Sequence, residues 1–224
     1  MKRDQLIIYG NGHMARMMAE IVSLQYEVVA FTVERRLIEF PTFRDLPLVP
    51  FEDVEERYAP SRYKMLVAVG YTGMNRIRIE RCALARSKGY RLANFVDRSV
   101  RLYPSTELGD NNIILEYAVI HPWSQLGCAN FLSSHVNLGH GTIMGDGGWL
   151  NSGVAIGGET RIGDRSVFGM NASAAHGIDV APETFVAANT FLAKSSEAGD
   201  VLLSDQAIRH RFKSETFLRL MKVV

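Results

Sequence analysis

The sequence contains little that would cross-link the chain, hold it in a membrane or attract nucleic acid. Its two cysteines, Cys82 and Cys128, match no metal-ligand spacing, so we expect reduced thiols and a cytoplasmic protein. Its apolar runs fall short of the roughly 20 residues that span a bilayer, so no membrane insertion is expected. The net charge is +1 with no long charge block, which argues against a nucleic-acid partner.

The second half of the chain repeats every six residues. Stepping by six from Val96 to Leu192 meets an apolar residue each time, and a mostly small or threonine-like residue follows four positions later. Six residues advance an α-helix by about 600°, so an apolar stripe would wander around it. The period instead predicts a parallel β-helix, a prism in which three hexads make one coil and this stretch makes about five coils.

Residues 1–95 follow a different pattern, in which apolar strands alternate with amphipathic helices. The segments QLIIYG, YEVVAFT, LPLVP, KMLVAVG and RLANFV are predicted strands, and this order predicts a small α/β domain with a parallel sheet. We therefore expect an α/β domain over 1–95, a β-helix over 96–195 and a helical tail over 196–224. The domain would cover one end of the prism, and the tail would cover the other end or pack on a neighbour.

Two glycine-containing loops follow predicted strands of the α/β domain. Gly10 and Gly12 lie between a strand and a helix, where backbone N–H groups and the helix N-terminus can hold phosphate. The dinucleotide fingerprint is incomplete, because Ala15 replaces its third glycine and Glu34 is only the nearest acid after the second strand. A tight turn without ligand explains the loop equally well. The second loop begins at Gly70, at the carboxyl end of a parallel strand.

The whole chain resembles bacterial sugar acyltransferases in which a small Rossmann-like domain precedes a left-handed β-helix. The resemblance covers about residues 4–195 and is carried by IIYGNGHMA, LVAVGYTGMNRIR and VNLGHGTIMGDGGWLNSGVAIGGETRIGDRSVFGMNA. It implies a left-handed coil and a homotrimer in which acetyl-CoA lies in the groove between neighbouring β-helices. Members of the family acetylate nucleotide-linked amino sugars of the bacillosamine and perosamine type, and others resemble sialic acid O-acetyltransferases.

The hexad register places His140 on the outside of its coil, because Leu138 and Thr142 take the inward positions. Gly158 and His176 follow it at intervals of 18 residues, one coil apart, in the same outward column. Spacing alone fits a solvent-facing His140 equally well. The resemblance implies that His140 is the general base that deprotonates the acceptor, and that the Gly158 N–H stabilises the thioester oxyanion.

The resemblance also assigns the binding residues. The positions that match its nucleotide-sugar site are Gly10, Asn11, Gly12, His13, Gly70, Asn75 and Arg76, with Arg78 equally open. The positions expected to bind acyl-CoA are Gly158, Met170, His176 and Ala188.

The sequence departs from the family at two places. Many relatives have an acidic residue directly after the histidine, where this chain has Gly141, so a backbone carbonyl or Asp146 would have to orient His140. Relatives commonly end with a Gly-x-Pro-Ala loop near CoA, which is absent here. This part of the chain and the residues after it contain four basic residues instead, Lys194, Arg209, Arg211 and Lys213. These side chains either form a solvated helix face or contact the CoA phosphates.

A metal site is not expected. His140 and His176 are 36 residues apart, like two zinc ligands of the β-helical carbonic anhydrases, but Ala181 stands where the third histidine would be. His135 and His140 have the other required spacing, and there Ser99 replaces the third ligand. Catalytic zinc normally needs three protein ligands, so we expect no metal cofactor.

We therefore expect an acetyl-CoA-dependent N-acetyltransferase that acts on an amino group of a nucleotide-linked deoxyamino sugar, in lipopolysaccharide or capsule biosynthesis. Direct transfer is expected, because no cysteine or serine adjoins His140 in sequence to form an acyl-enzyme. Two alternatives stay open, namely sugar O-acetylation of the sialic acid type and a non-catalytic nucleotide-sugar scaffold, which Gly141 motivates. An NAD-linked oxidoreductase would need a substrate domain that the repeat does not resemble.

Overall fold

The computed structural model describes residues 3–205 and 207–221. Its N-terminal module is a six-stranded sheet of order β3-β4-β2-β1-β5-β6, parallel except for the β3–β4 hairpin. The strands are β1 (Gln5–Tyr9), β2 (Glu27–Val33), β3 (Thr42–Phe43), β4 (Leu46–Pro50), β5 (Lys64–Val67) and β6 (Arg91–Leu92). The helices are α1 (His13–Val22), α2 (Val54–Arg57) and α3 (Arg76–Ser87), with 3₁₀ turns at Arg35–Leu37 and Phe51–Asp53. The predicted α/β module is confirmed.

The predicted strand RLANFV divides between the two modules. Arg91–Leu92 pairs with β5, whereas Phe95–Val96 pairs with Ile113–Ile114 in the β-helix. Asn94 holds the junction, since its amide donates to Gly109 O (2.8 Å) and its Oδ1 accepts from Asn112 N–H (2.8 Å). The apolar run continues through this break, so its pattern gave no sign of the change of module.

The β-helix has three faces, each built of stacked two-residue parallel strands. The face that we call the docked face comprises Phe95–Val96, Ile113–Ile114, Phe131–Leu132, Trp149–Leu150, Val167–Phe168, Phe185–Val186 and Val201–Leu202. The first open face comprises Arg101–Leu102, Val119–Ile120, Asn137–Leu138, Ala155–Ile156, Ser173–Ala174 and Phe191–Leu192. The second open face comprises Glu107–Leu108, Gln125–Leu126, Ile143–Met144, Arg161–Ile162 and Asp179–Val180.

The predicted apolar column forms the core of the prism. From Ile114 to Leu192 every sixth residue is buried in one cluster, with Leu150 and Phe168 fully enclosed. Most polar residues at the second inward position are also buried, and several of their hydroxyls are paired, whereas the Thr106 hydroxyl has no partner among the described residues. Thr142 Oγ1 donates to Gly139 O (2.7 Å) and Thr160 Oγ1 to Ala175 O (2.9 Å), so these corners carry no unpaired hydroxyl.

The N-terminal module packs along the docked face, which corrects the expectation that it covers an end of the prism. Outward side chains of this face share one buried cluster with residues of β1 and α1, including Leu6 and Met18. Trp149 stacks on Phe131 at 4.0 Å between ring centroids, and Arg78 lies over the Trp149 ring at 5.0 Å. The outward residues of this face are therefore apolar because they pack against the N-terminal module, which the six-residue period of the inward positions does not predict.

The C-terminal region differs from the predicted tail. The β-helix continues beyond residue 195, because Val201–Leu202 pairs with Phe185–Val186. Helix α4 (Ser214–Leu220) is the only helix described after residue 195, and none of its residues is buried. The predicted basic residues Arg209, Arg211 and Lys213 precede this helix and are exposed. Within the described ranges, no helix combines the length and apolarity that crossing a bilayer requires.

Candidate active site

His140, Gly158 and His176 lie one above another at the corner between the two open faces, on successive coils. We call these three residues the His140 column. The imidazole centroids of His140 and His176 are 6.0 Å apart, and the planes of the two rings are inclined by 38°. Two coils separate the backbones by about 9.6 Å, so the rings lean towards each other across Gly158.

The imidazole of His140 lies directly over Gly158. A Cβ atom at Gly158 would stand 2.6 Å from Cε1 and 2.7 Å from Nδ1 of His140, closer than side chains approach. Among the described residues no acceptor pairs with the Gly158 N–H. Pro104 and Pro122 occupy the same position on earlier coils. Because proline has no backbone N–H, the coil does not need a hydrogen bond from this position. Gly158 therefore offers an unpaired donor beside an imidazole.

Glu159 is the acidic side chain next to this column, and the sequence analysis missed it. Its Oε1 is 4.0 Å from His140 Nε2, and its Oε2 is 3.6 Å from His176 Nε2. Asp146, the predicted alternative, lies at a different corner, where its carboxylate accepts from Cys128 N–H (2.6 Å). The signal that could have found Glu159 is its position 18 residues after Gly141, in the same column one coil on.

Met170 and Ala188, predicted to contact acyl-CoA, lie at the corner between the docked face and the first open face. The first open face separates them from the His140 column of the same chain. Met170 is 60% exposed, so its side chain is available to a ligand or to another molecule. Within one chain, the predicted acyl-CoA residues are therefore divided between two corners.

A cavity of about 430 Å³ opens beside the first glycine loop, and Gly10, Asn11, Gly12, His13 and Gly70 line it. Gly10 is needed for packing, because a Cβ there would stand 2.8 Å from Ala68 O. Gly12 has nothing within 4 Å of the same position, so its missing side chain leaves space at the start of α1. Such a helix N-terminus with free backbone N–H groups suits an anionic ligand such as phosphate.

Three charged residues that were not assigned to the site also line this cavity: Glu34, Arg36 and Arg81. Glu34 directly follows β2, accepts a hydrogen bond from the Tyr9 hydroxyl and pairs with Arg81. Burial raises the pKa of Glu34, but the Tyr9 hydroxyl and the Arg81 guanidinium outweigh it, so the net pKa lies below the ordinary value. The carboxylate is therefore charged at neutral pH and faces the cavity.

Three predicted or open positions at the end of the second loop and the start of α3, namely Asn75, Arg76 and Arg78, make their contacts elsewhere. Asn75 is fully buried ahead of α3 in the left-handed conformation (φ 60°), and its carboxamide has no partner among the described residues. Arg76 points to the β-helix and pairs with Glu183 at 3.5 Å. Arg78 is buried against Trp149, donates to Gly148 O (3.3 Å), and burial lowers its pKa to about 10. None of these three side chains lines this cavity or the larger cavity beside it, which is described next.

A second cavity of about 750 Å³ joins the first, and the two share His13, Met14 and Gly70. Its walls are mainly apolar and come from both modules: Met14, Met17, Tyr71, Met74, Trp149 and Phe185. Both cavities lie on the docked side of the prism, whereas the His140 column runs along the opposite corner. In a single chain the two candidate sites are therefore separated by the width of the β-helix.

Across residues 3–205 and 207–221, no group of three or more histidine, cysteine, aspartate or glutamate side chains is arranged to hold a metal ion. Cys82 and Cys128 are both free thiols. Burial raises the pKa of Cys82 to about 12, so this thiol is protonated and unreactive at neutral pH.

No protein-family profile and no curated protein matches this chain. Among solved structures it resembles the acetyltransferase domain of PglB from Neisseria gonorrhoeae, with a TM-score of 0.77, 21% identity, and coverage of 89% of this chain and 96% of that one. It also resembles a mutant perosamine N-acetyltransferase from Caulobacter crescentus in complex with CoA and GDP-perosamine, with a TM-score of 0.74, 21% identity and coverage of 85% and 89%.

These similarities establish the fold of the chain. The predicted fold class, a Rossmann-like α/β module followed by a left-handed β-helix and a short C-terminal helix, is confirmed. The PglB domain has also been solved in complex with acetyl coenzyme A, and that structure has a TM-score of 0.78 at 20% identity.

Proposed function

We propose that this chain is an acetyl-CoA-dependent N-acetyltransferase that modifies an amino group of a nucleotide-linked deoxyamino sugar. The observation that carries the proposal is the imidazole of His140 lying over Gly158, beside an N–H that has no acceptor among the described residues. Such an arrangement would allow His140 to act as a base beside an oxyanion donor. The similarity in fold to structures that contain acetyl coenzyme A or CoA supports the choice of acyl donor.

In the proposed reaction, the acceptor amine attacks the thioester carbonyl of acetyl-CoA while His140 takes the proton that the nitrogen loses. The negative charge that develops on the carbonyl oxygen is stabilised by the Gly158 N–H. Collapse of the tetrahedral intermediate forms the amide, and His140 returns its proton to the departing CoA thiolate. The main contribution of the protein is to hold amine and thioester together, and no metal is needed.

The two joined cavities would bind the acceptor. The diphosphate would lie against Gly12, His13 and the start of α1, and the nucleoside would reach towards Glu34 and Arg81. The sugar would extend past His13 into the second cavity, whose walls are mainly apolar. Apolar walls favour a sugar with few hydroxyls, which supports a deoxy sugar. Asn75 and Arg76 have no part in this proposal.

We assign the complete site to two copies of the chain, in a homotrimer. The acceptor cavities and the His140 column lie on opposite sides of one β-helix, so an acceptor bound to one copy would meet His140 of another. Met170 and Ala188 would contact acetyl-CoA from the copy that binds the acceptor and does not supply His140, because within one chain they lie at a different corner from His140. Free thiols and these co-substrates suit a cytoplasmic step of surface-glycan synthesis.

Sugar O-acetylation remains the alternative within enzymes, because an imidazole can deprotonate a hydroxyl as well as an amine. The nucleotide and the acyl length also remain to be identified. A thermal-shift screen with UDP, dTDP, GDP and CMP, each with and without acetyl-CoA, identifies the nucleotide. Mass spectrometry and NMR of the product then distinguish an amide from an ester. Nucleotide binding without acetylation of any amino-sugar or hydroxy-sugar acceptor would favour a non-catalytic scaffold.

A further inference from the structure

Glu159 reaches both histidines of the His140 column. Its Oε1 faces His140 Nε2 at 4.0 Å and its Oε2 faces His176 Nε2 at 3.6 Å, so each oxygen points to a different imidazole. The backbone is anchored at the same point, because Glu159 N–H donates to His140 O (2.7 Å). The carboxylate thus lies between the two rings, within ion-pair distance of both histidines and beyond direct hydrogen-bond distance of either.

Gly141 makes room for this arrangement. It occupies the position of Glu159 one coil earlier, and both residues have left-handed backbones, with φ of 65° and 57°. A Cβ at Gly141 would already touch Glu159 Cγ at 3.5 Å, so a longer side chain would compete for the same space. Gly141, which replaces the acid after His140, therefore leaves space that the Glu159 side chain occupies from the next coil.

We propose that Glu159 is the positioning residue of His140, a role that rests on the proposed acetyl transfer. The carboxylate holds the proton on the imidazole nitrogen that faces it, which leaves the opposite nitrogen free to accept the proton of the acceptor. When that proton arrives, Glu159 stabilises the imidazolium until the proton passes to the CoA thiolate. His176 keeps the second carboxylate oxygen in place.

The kinetic test compares Glu159→Gln with Glu107→Gln, a control at an exposed glutamate on the second open face. Glu159→Gln should lower kcat by on the order of 10- to 100-fold, with the KM of both substrates changed less than about twofold, because the proposed role of Glu159 acts through His140 and not on either substrate. Glu107→Gln should behave as wild type, and His140→Ala in the same assay shows the dependence on the base. An unchanged kcat in Glu159→Gln would overturn the proposal.

A second readout needs no substrate. In ¹⁵N-histidine-labelled protein, the signals of His140 are identified with His140→Ala, and the shifts of its two ring nitrogens report which of them carries the proton. The neutral ring should carry its proton mainly on Nε2, the nitrogen that faces Glu159, and Glu159→Gln should reduce that preference, because an amide oxygen is a weaker acceptor than a carboxylate. The difference should persist with His176→Asn, because the proposed contact joins Glu159 to His140 and does not pass through His176.

An unchanged position of the His140 ring proton in Glu159→Gln would contradict the role of Glu159, whatever the enzyme acetylates. Wild-type protein that releases no CoA while its His140 signals respond to Glu159→Gln would instead contradict the proposed function alone. The two failures are therefore distinguishable.

Discussion

At the scale of single residues, the His140 ring leaves Gly158 no room for a side chain. A methyl group there would stand within 3.0 Å of three His140 ring atoms and would push the imidazole aside. Gly158→Ala should therefore lower kcat by on the order of 100-fold, although the backbone N–H remains, because a displacement of about 1 Å can cost that much. CoA release measures the effect, and thermal unfolding controls for folding. Wild-type turnover would show that the ring over Gly158 has no part in the reaction.

Glu34 is the residue whose charge should matter most for the acceptor nucleotide. Because Tyr9 and Arg81 depress the pKa of Glu34, its stabilising contribution is complete near neutral pH and is lost only as pH falls through that lowered value. Glu34→Gln should weaken nucleotide binding by roughly 10-fold or more, through the lost charged acceptor and an unpaired Arg81. Calorimetry with the nucleotide that the thermal-shift screen identifies measures the affinity, and Glu56→Gln, at an exposed glutamate, is the control. Equal affinities would remove Glu34 from the site.

The residues of the site differ in how far the sequence could specify them. The hexad register put His140, Gly158 and His176 in one column, because a period of six fixes which side chains point outward. The same register puts Glu159 one coil beyond Gly141. It does not specify which way the Glu159 side chain turns, so the contacts of Glu159 with the two histidines were not predicted. Asn75 and Arg76 were assigned by resemblance, and their burial and pairing depend on packing between modules that no local pattern records.

At the scale of elements, the coil is stabilised by its inward column. Phe168 is fully buried in that column, so Phe168→Ala should lower the free energy of unfolding by about 3–5 kcal/mol. Gln125→Ala, at an exposed outward position, should change it by less than about 0.5 kcal/mol. Chemical denaturation of both variants measures the difference. Similar losses at the two positions would contradict the inward and outward register.

The element pattern was predictable where one period governs the chain. It was not predictable at the corners, where bulky residues such as Trp123 and Arg165 adopt left-handed φ values of 63° and 58° that sequence reasoning reserves for glycine. The β-helix was also predicted to end at residue 195, whereas Val201–Leu202 continues the docked face. A turn before this strand interrupts the six-residue spacing.

At the scale of the whole molecule, the decisive feature is the separation of the two candidate sites by the β-helix. If His140 of one copy serves the acceptor cavity of another, a mixture of two inactive variants should regain activity. His140→Ala removes the proposed base, and Gly12→Asp would place a negative charge where the diphosphate is proposed to bind. Co-expressed mixed oligomers should release CoA although neither variant alone does. Verified mixed oligomers without activity would put both sites in one copy.

The proposed function depends on His140 acting as the base when an acetyl group passes directly from acetyl-CoA to a nucleotide-linked amino sugar. The most direct measurement is CoA release with that acceptor in wild type and in His140→Ala, under conditions where both proteins bind the nucleotide equally. The account predicts release that matches the amide formed in wild type, and a loss on the order of 100-fold or more in His140→Ala. Equal rates in the two proteins, or no release by wild type with a bound acceptor, would contradict it.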